Sequence, residues 1–202
     1  LYEMSTEKTV RKEYGEVEEN ALRLDDEKAE QIVEALNDDL ADTFVLYHQL
    51  RKHHWNVEGA EFRDLHIFLG EAAENAEEAA DQLAERLQAI GGAPVSSMPN
   101  LSERAGVDHE DGDVYSVRTS LKNDMEIYGD VIESLREHVE LATELGDHAT
   151  AEILRQILVE TEDDAHHIDH YLEDDTLVFD TGSEQASSAA RAAPSFGSAS
   201  SL

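Results

Sequence analysis

The stretch KHHWNVEGAEFRDLH, residues 52–66, carries three histidines, the chain's single tryptophan and a glycine set where a turn is due. Upstream of it, from about Asp26, apolar residues recur at steps of three and four: Ile32, Leu36, Leu40, Phe44, Tyr47 and Leu50. That spacing lines one face of a helix. Gly59 is its stop, and a second run of the same period opens at Phe62, so the quoted stretch is the bend between two long helices. His54 closes the first and His66 begins the second.

The rest of the chain extends this pattern. The second helix runs to about Ile90 and is ended by GGAP at 91–94, Gly then Pro. A looser stretch, 95–112, follows. The third helix is expected from near Asp113 through Val117, Leu121, Met125, Tyr128, Ile132 and Leu135 to a stop at Gly146. Asp147 caps the fourth, which uses Ile153, Leu154, Ile157, Leu158, Ile168 and Leu172. The reading is an all-α four-helix bundle over residues 26–174, with one long link between the second and third helices that leaves room for a crossover. Residues 1–25 and 175–202, the latter ending in EQASSAARAAPSFGSASSL, have no periodicity and read as mobile tails.

Composition bounds the function. A chain of 202 residues, 40% of them apolar, buries one sizeable core. Its 47 acidic residues against 15 basic ones leave a formal charge of −32. Such a chain should repel phosphate backbones and anionic membranes, so DNA binding is not expected. The same self-repulsion is screened at about 1 M salt, where the Debye length is roughly 3 Å, which points to a saline, halophilic cytoplasm. No apolar run approaches the roughly 20 residues of a membrane span, and the first 25 residues lack a signal peptide's basic start and apolar centre. The expectation is a soluble, cytoplasmic protein. With no cysteine, any metal must sit on His, Asp and Glu.

The second helix carries a stripe of acid. At roughly 100° per residue, Glu71, Glu74, Glu78, Asp81 and Glu85 fall within about 40° of one line, opposite Leu69, Ala72, Ala73, Ala76, Ala80, Leu83 and Leu87. A solvated face is one explanation. Against it, Arg86 is the only cation between residues 64 and 103, where an exposed face would interleave several. Asp81 and Glu85, at i and i+4, could hold one edge of a metal, and two imidazoles would complete a site suited to iron. His66 lies fifteen residues before Asp81, however, which is about 22 Å along one helix. Either these residues are unrelated, or two chains share the site across a two-fold axis.

HHWNVEG, the following Phe and Leu-His, and then DQLAERLQAIGG together resemble the Dps family, the mini-ferritins. The signature is His-Trp, a Leu-His twelve residues on, and Asp-x-x-x-Glu in an Ala-Glu-Arg-Leu run ending in Gly-Gly; the match is dense over residues 41–95. The resemblance implies a hollow homo-oligomer of twelve subunits with tetrahedral 23 symmetry. It implies ferroxidase sites at two-fold interfaces that oxidise Fe(II), preferentially with hydrogen peroxide rather than dioxygen, and an interior store of ferric mineral that protects against oxidative damage. By motif position, His54 and His66 are ligands from one subunit, and Asp81 and Glu85 are ligands from its partner. Trp55 matches the aromatic beside the site, a sink for oxidising equivalents. The family often has a carboxylate four residues after the second histidine; here that position is Gly70, with Glu71 next to it. Many relatives bind DNA through a basic tail, which the charge here contradicts.

Glu71, Glu74 and Glu78, by their phase, are the residues expected to nucleate ferric mineral. In DDAHHIDH, residues 163–170, His166 and His170 are i,i+4 and could hold a metal or line a pore, although histidines in a last helical turn also suit the macrodipole. His48, His53, His109, His138 and His148 read as surface or core residues. An intrachain di-iron bundle of the rubrerythrin type would need Glu-x-x-His pairs, and residue 88, three after Glu85, is Gln. The alternative from a different class is a non-enzymatic acidic structural or interaction bundle, distinguished by its failure to consume Fe(II).

Overall fold

The computed structural model describes residues 9–173; the tail assigned to 175–202 lies outside them. Five helices and no strand are found among the described residues: α1 (Asp26–Asn56), α2 (Phe62–Ala89), α3 (Met98–Arg104), α4 (Val117–Leu145) and α5 (His148–Leu172). The four long ones are the expected bundle. The short α3 falls inside the stretch read as loose. Its local signals are present in the sequence, since Ser97 accepts from the Asn100 N–H and Pro99 sits in the first turn. Seven residues are too few to show a helical period.

Contacts between helices fix their directions. Gln49 on α1 meets Asp124 on α4, and Asp39 meets Ser134, so α1 and α4 are antiparallel. Asn75 on α2 meets Asp164 on α5, and Arg86 meets Thr150, so α2 and α5 are antiparallel too. Since the α1–α2 bend reverses the chain, α2 and α4 run the same way, and the link between them must travel the length of the bundle. It does so along α1. Arg104 pairs with Glu34 and Asp38, the Gly106 and Val107 N–H groups donate to Asp42, and Glu110 reaches Gln49 and Lys52.

Helix ends follow the punctuation with small displacements. Gly146 caps α4 at φ 81°, and Asp147 caps α5 by accepting from the Thr150 N–H at 3.1 Å while Arg86 Nη2 donates to both its oxygens at 2.8 Å. The third long helix starts at Val117 rather than near Asp113, because Ser116 supplies the cap, accepting from the Thr119 N–H. α1 ends at Asn56, one turn short of Gly59, which stands in the bend at φ 108°.

The core is Ile32, Leu36, Leu40 and Leu50 of α1, Leu65, Leu69, Leu83 and Leu87 of α2, with Leu121, Tyr128 and Leu135 of α4 and Leu154 of α5. Each fully buried leucine contributes roughly 2 kcal/mol. Ala72, Ala73, Ala76 and Ala80 are buried as expected and let α2 lie close against its neighbours. Phe44 and Tyr47, read as core from their spacing, are only half-buried. The inner face of α1 in that region carries Thr43, Leu46, Gln49 and His53 instead: Thr43 and Leu46 lie with Ala72 and Ala76 of α2 and Tyr128 of α4, Gln49 and His53 bond Asp124 of α4, and Phe44 lies on the side of α1 that meets Met98 and Leu101 of the crossover.

Residues 9–25, assigned above to a tail, are tied to the end of α2. Lys12 Nζ donates to the Gly91 and Gly92 carbonyls, and the Glu18 N–H donates to Gly91 O at 3.0 Å. A Cβ on Gly91 would lie 2.0 Å from the Glu18 carbonyl oxygen, so the glycine pair is a docking place as well as a helix stop. No described helix is long and apolar enough to cross a membrane.

Candidate metal centre

The bend brings His54 and His66 together. Their rings stack with centroids 3.9 Å apart and planes 19° apart. Each holds the other's backbone: His54 Nδ1–H donates to the His66 carbonyl at 2.7 Å, and His66 Nδ1–H donates to the His54 carbonyl at 2.9 Å. A carbonyl only accepts, so both protons are fixed on Nδ1. In the neutral rings both Nε2 atoms are therefore bare lone pairs, the form that binds a metal. Phe62 stacks on the outer side of His66 at 5.1 Å.

Gly70 has a steric reason. A Cβ there would lie 3.1 Å from both Cε1 and Nδ1 of His54, a tight contact that would require the ring to give by a few tenths of an ångström.

Asp81 and Glu85 are exposed on α2 far from the imidazoles, and Glu71, Glu74 and Glu78 are exposed along the same helix. Glu74 has a distant cationic neighbour, Arg51 Nη2 at 3.9 Å. Among the described residues no three His, Cys, Asp or Glu side chains converge on one point. Within one chain, then, the histidine pair and the carboxylate pair stay apart, as the helical rise requires. Three large apolar side chains are exposed near the histidines, among polar ones such as Asn56, Arg63 and Asp64: Trp55 is 71% exposed, Phe62 46% and Ile67 48%.

Beside the pair lies a buried network that spacing did not reveal. His53, 4% exposed, places Nδ1 2.8 Å from both oxygens of the fully buried Asp124, and Nε2 2.9 Å from Glu110. Lys52 and Asn123 also donate to Glu110, and Gln49 donates to Asp124 at 2.9 Å. Both ring nitrogens face acceptors, so His53 is held as an imidazolium. Burial opposes that charge, but the bonds and charges of Asp124 and Glu110 outweigh it and raise the pKa. His53 thus locks α1, the crossover and α4 together next to His54. The sequence signal was Lys-His-His itself: neighbours 100° apart on a helix face different environments.

His166 and His170 lie exposed near the end of α5, their Nε2 atoms 3.1 Å apart. His167, between them, stacks on Phe68.

Comparison with known proteins gives a consistent picture. The ferritin-like domain family profile matches residues 33–178. The chain is 69% identical over 176 residues to the DNA protection during starvation protein of Halobacterium salinarum, covering 87% of this chain and 97% of that one. It is 34% identical over 175 residues to the nutrient stress-induced DNA-binding protein of a Nostoc species, covering 87% and 95%. Among solved structures, the archaeal Dps homologue of Halobacterium salinarum superposes with a TM-score of 0.82 at 68% identity, over 87% of this chain and 98% of that one. The Vibrio cholerae Dps protein, described as a member of a broad superfamily of ferritin-like diiron-carboxylate proteins, superposes with a TM-score of 0.73 at 27% identity, over 77% and 97%.

Proposed function

Since the chain belongs to the ferritin-like family, and within it to the Dps proteins, we propose that it is a ferroxidase that oxidises Fe(II) with hydrogen peroxide and stores the ferric product inside a twelve-subunit shell of 23 symmetry. One observation carries this reading: two stacked imidazoles, each locked by the other's carbonyl, present two Nε2 lone pairs side by side.

Fe(II) is the substrate. His54 and His66 of one subunit bind it together with the carboxylates of Asp81 and Glu85 from a second subunit, an arrangement that an isologous two-fold contact repeats twice per dimer. The exposed Trp55, Phe62 and Ile67 supply apolar area for that contact. Two Fe(II) ions give one electron each to one peroxide, which takes up two protons and leaves as two waters. The paired electron transfer releases no hydroxyl radical, and Trp55, which follows His54 in the chain, supplies an electron when only one Fe(II) is bound. Dioxygen is the alternative oxidant. Ferric ions then collect on Glu71, Glu74 and Glu78.

The relatives' names refer to DNA protection and DNA binding. With 47 acidic residues against 15 basic ones, protection here proceeds in the cytoplasm by removing Fe(II) and peroxide, without contact to DNA.

The test is complementation. His54→Gln with His66→Gln, and separately Asp81→Asn with Glu85→Gln, should each abolish fast peroxide-dependent Fe(II) oxidation. In a mixed dimer one site inherits both defects and the other is intact. Randomly mixed shells should therefore recover about one quarter of wild-type activity, since half the dimers are mixed and each has one good site. No recovery in correctly assembled mixed shells would refute the shared site.

A further inference from the structure

The end of α5 carries a second imidazole pair that Fe(II) oxidation does not use. His166 and His170 are one helical turn apart, with Nε2 atoms separated by 3.1 Å, centroids by 4.4 Å and ring planes by 67°. At a metal–imidazole distance of about 2.0–2.1 Å, that separation subtends roughly 100° at a shared ion, between the tetrahedral and square arrangements. The helix permits this bite, because i and i+4 residues lie on one face.

The local scaffold is pinned. Tyr171 and His167 pack against Phe68 of α2, at 5.8 and 5.7 Å between centroids, and Arg118 Nη1 donates to the Leu172 carbonyl at 2.8 Å. His167 is turned aside, its Nδ1–H donating to the Asp163 carbonyl at 2.9 Å. Next to His166 opens a groove of about 460 Å³ lined by Asn75, Glu160, Glu162, Asp163 and Asp164. Its carboxylates concentrate divalent cations beside the ring. No third His, Cys, Asp or Glu joins the two imidazoles among the described residues.

We propose that His166 and His170 form a second metal site, a two-imidazole chelate for a late divalent transition ion, Cu(II) ahead of Ni(II) and Zn(II), with Fe(II) at a disadvantage. The donor set decides the class: imidazole nitrogens follow the order in which Cu(II) binds most tightly and Fe(II) among the least, whereas the carboxylates of α2 favour harder ions. The site stands apart from the Fe(II) reading, since copper binding is measured without any iron turnover.

The experiment titrates the chelator-stripped, assembled full-length protein with Cu(II) and follows binding by electron paramagnetic resonance. His166→Gln with His170→Gln should remove one Cu(II) equivalent per chain, together with a spectral component showing two coordinated nitrogens. His170→Gln alone leaves one imidazole and should weaken that component's binding by roughly tenfold or more. His54→Gln with His66→Gln, and His167→Gln, should both retain it. His166, His167 and His170 are exposed, whereas His54 and His66 are half-buried, so gel filtration with circular dichroism verifies the assembly of every variant before titration. Unchanged copper stoichiometry and spectrum in the double variant would overturn the site. Displacement of Cu(II) from it by an equal concentration of Fe(II) would overturn the metal class.

Discussion

At the scale of single residues, the His54 ring packs closely where Gly70 has no side chain. Gly70 sits mid-helix, where glycine costs about 1 kcal/mol relative to alanine, so a glycine kept there has a packing reason. Its reason is the His54 ring, 3.1 Å from where a Cβ would stand. Gly70→Ala should therefore separate stability from activity. Alanine restores helix propensity, while its methyl tilts the His54 ring and loosens the Nδ1–H bond to the His66 carbonyl that fixes the tautomer. The thermal midpoint should hold or rise, and Fe(II) oxidation should fall by roughly tenfold, the scale on which groups that orient a metal ligand act. Stopped-flow oxidation of Fe(II) beside a melting curve tests this; an unimpaired rate would mean the ring has room to spare.

At the scale of elements, the crossover is fastened to α1 by charged groups, and one of them makes stability depend on pH. Asp42, 6% exposed, accepts from the Gly106 N–H at 2.6 Å and the Val107 N–H at 3.3 Å. Burial is the largest influence on its carboxyl and outweighs those two donors, raising the pKa from 3.8 to about 6. A folded-state pKa above the unfolded one means the native state holds the proton longer, so this group's contribution falls as pH rises from about 4 through 6. The stability of wild type relative to Asp42→Asn should drop across that window by on the order of 2 to 3 kcal/mol. Denaturant midpoints at pH 4.5 and 7 decide it, and parallel pH profiles for the two proteins would sink it. Asp42 also shows why parts of the fold escaped a reading of the sequence. The long helices were legible because Ile32, Leu36 and Leu40 repeat with the helical period, and the ends because Gly146 and Asp147 are local signals. The crossover is held by Asp42, Glu110 and Arg104 reaching across 64, 61 and 70 residues of chain, and no periodicity marks such contacts. For the same reason the His54–His66 pair was visible across its twelve-residue bend, whereas the His53–Asp124 lock, 71 residues apart, was not.

At the scale of the whole molecule, charge governs the conditions in which the fold persists. The few cations are largely engaged inside the chain: Lys52 on Glu110, Arg86 on Asp147, Arg104 on Asp38, and Lys28 on the Leu145 carbonyl at the end of α4. Among the described residues little positive charge is left to offset the acidic surface, including the stripe on α2, where Arg51 stands 3.9 Å from Glu74. Assembly into a shell would compound the repulsion by bringing several such surfaces together. At 0.1 M salt the Debye length is about 10 Å, comparable to the spacing of carboxylates along a helix, and at 1 M it is about 3 Å. Raising NaCl from 0.1 to 1 M should therefore raise the thermal midpoint steeply and then level off once neighbouring carboxylates no longer sense one another. An uncharged osmolyte at matched osmolality should reproduce little of the rise. Replacing Glu71, Glu74 and Glu78 together by Gln removes three adjacent charges without changing side-chain volume, so it should lift the low-salt midpoint and leave the high-salt plateau nearly unchanged. Melting curves of wild type and this variant in the two salts and in sucrose measure the effect. An equal gain from the substitutions at both salt concentrations would mean that packing or propensity, and not screened repulsion, sets the stability of the acidic face.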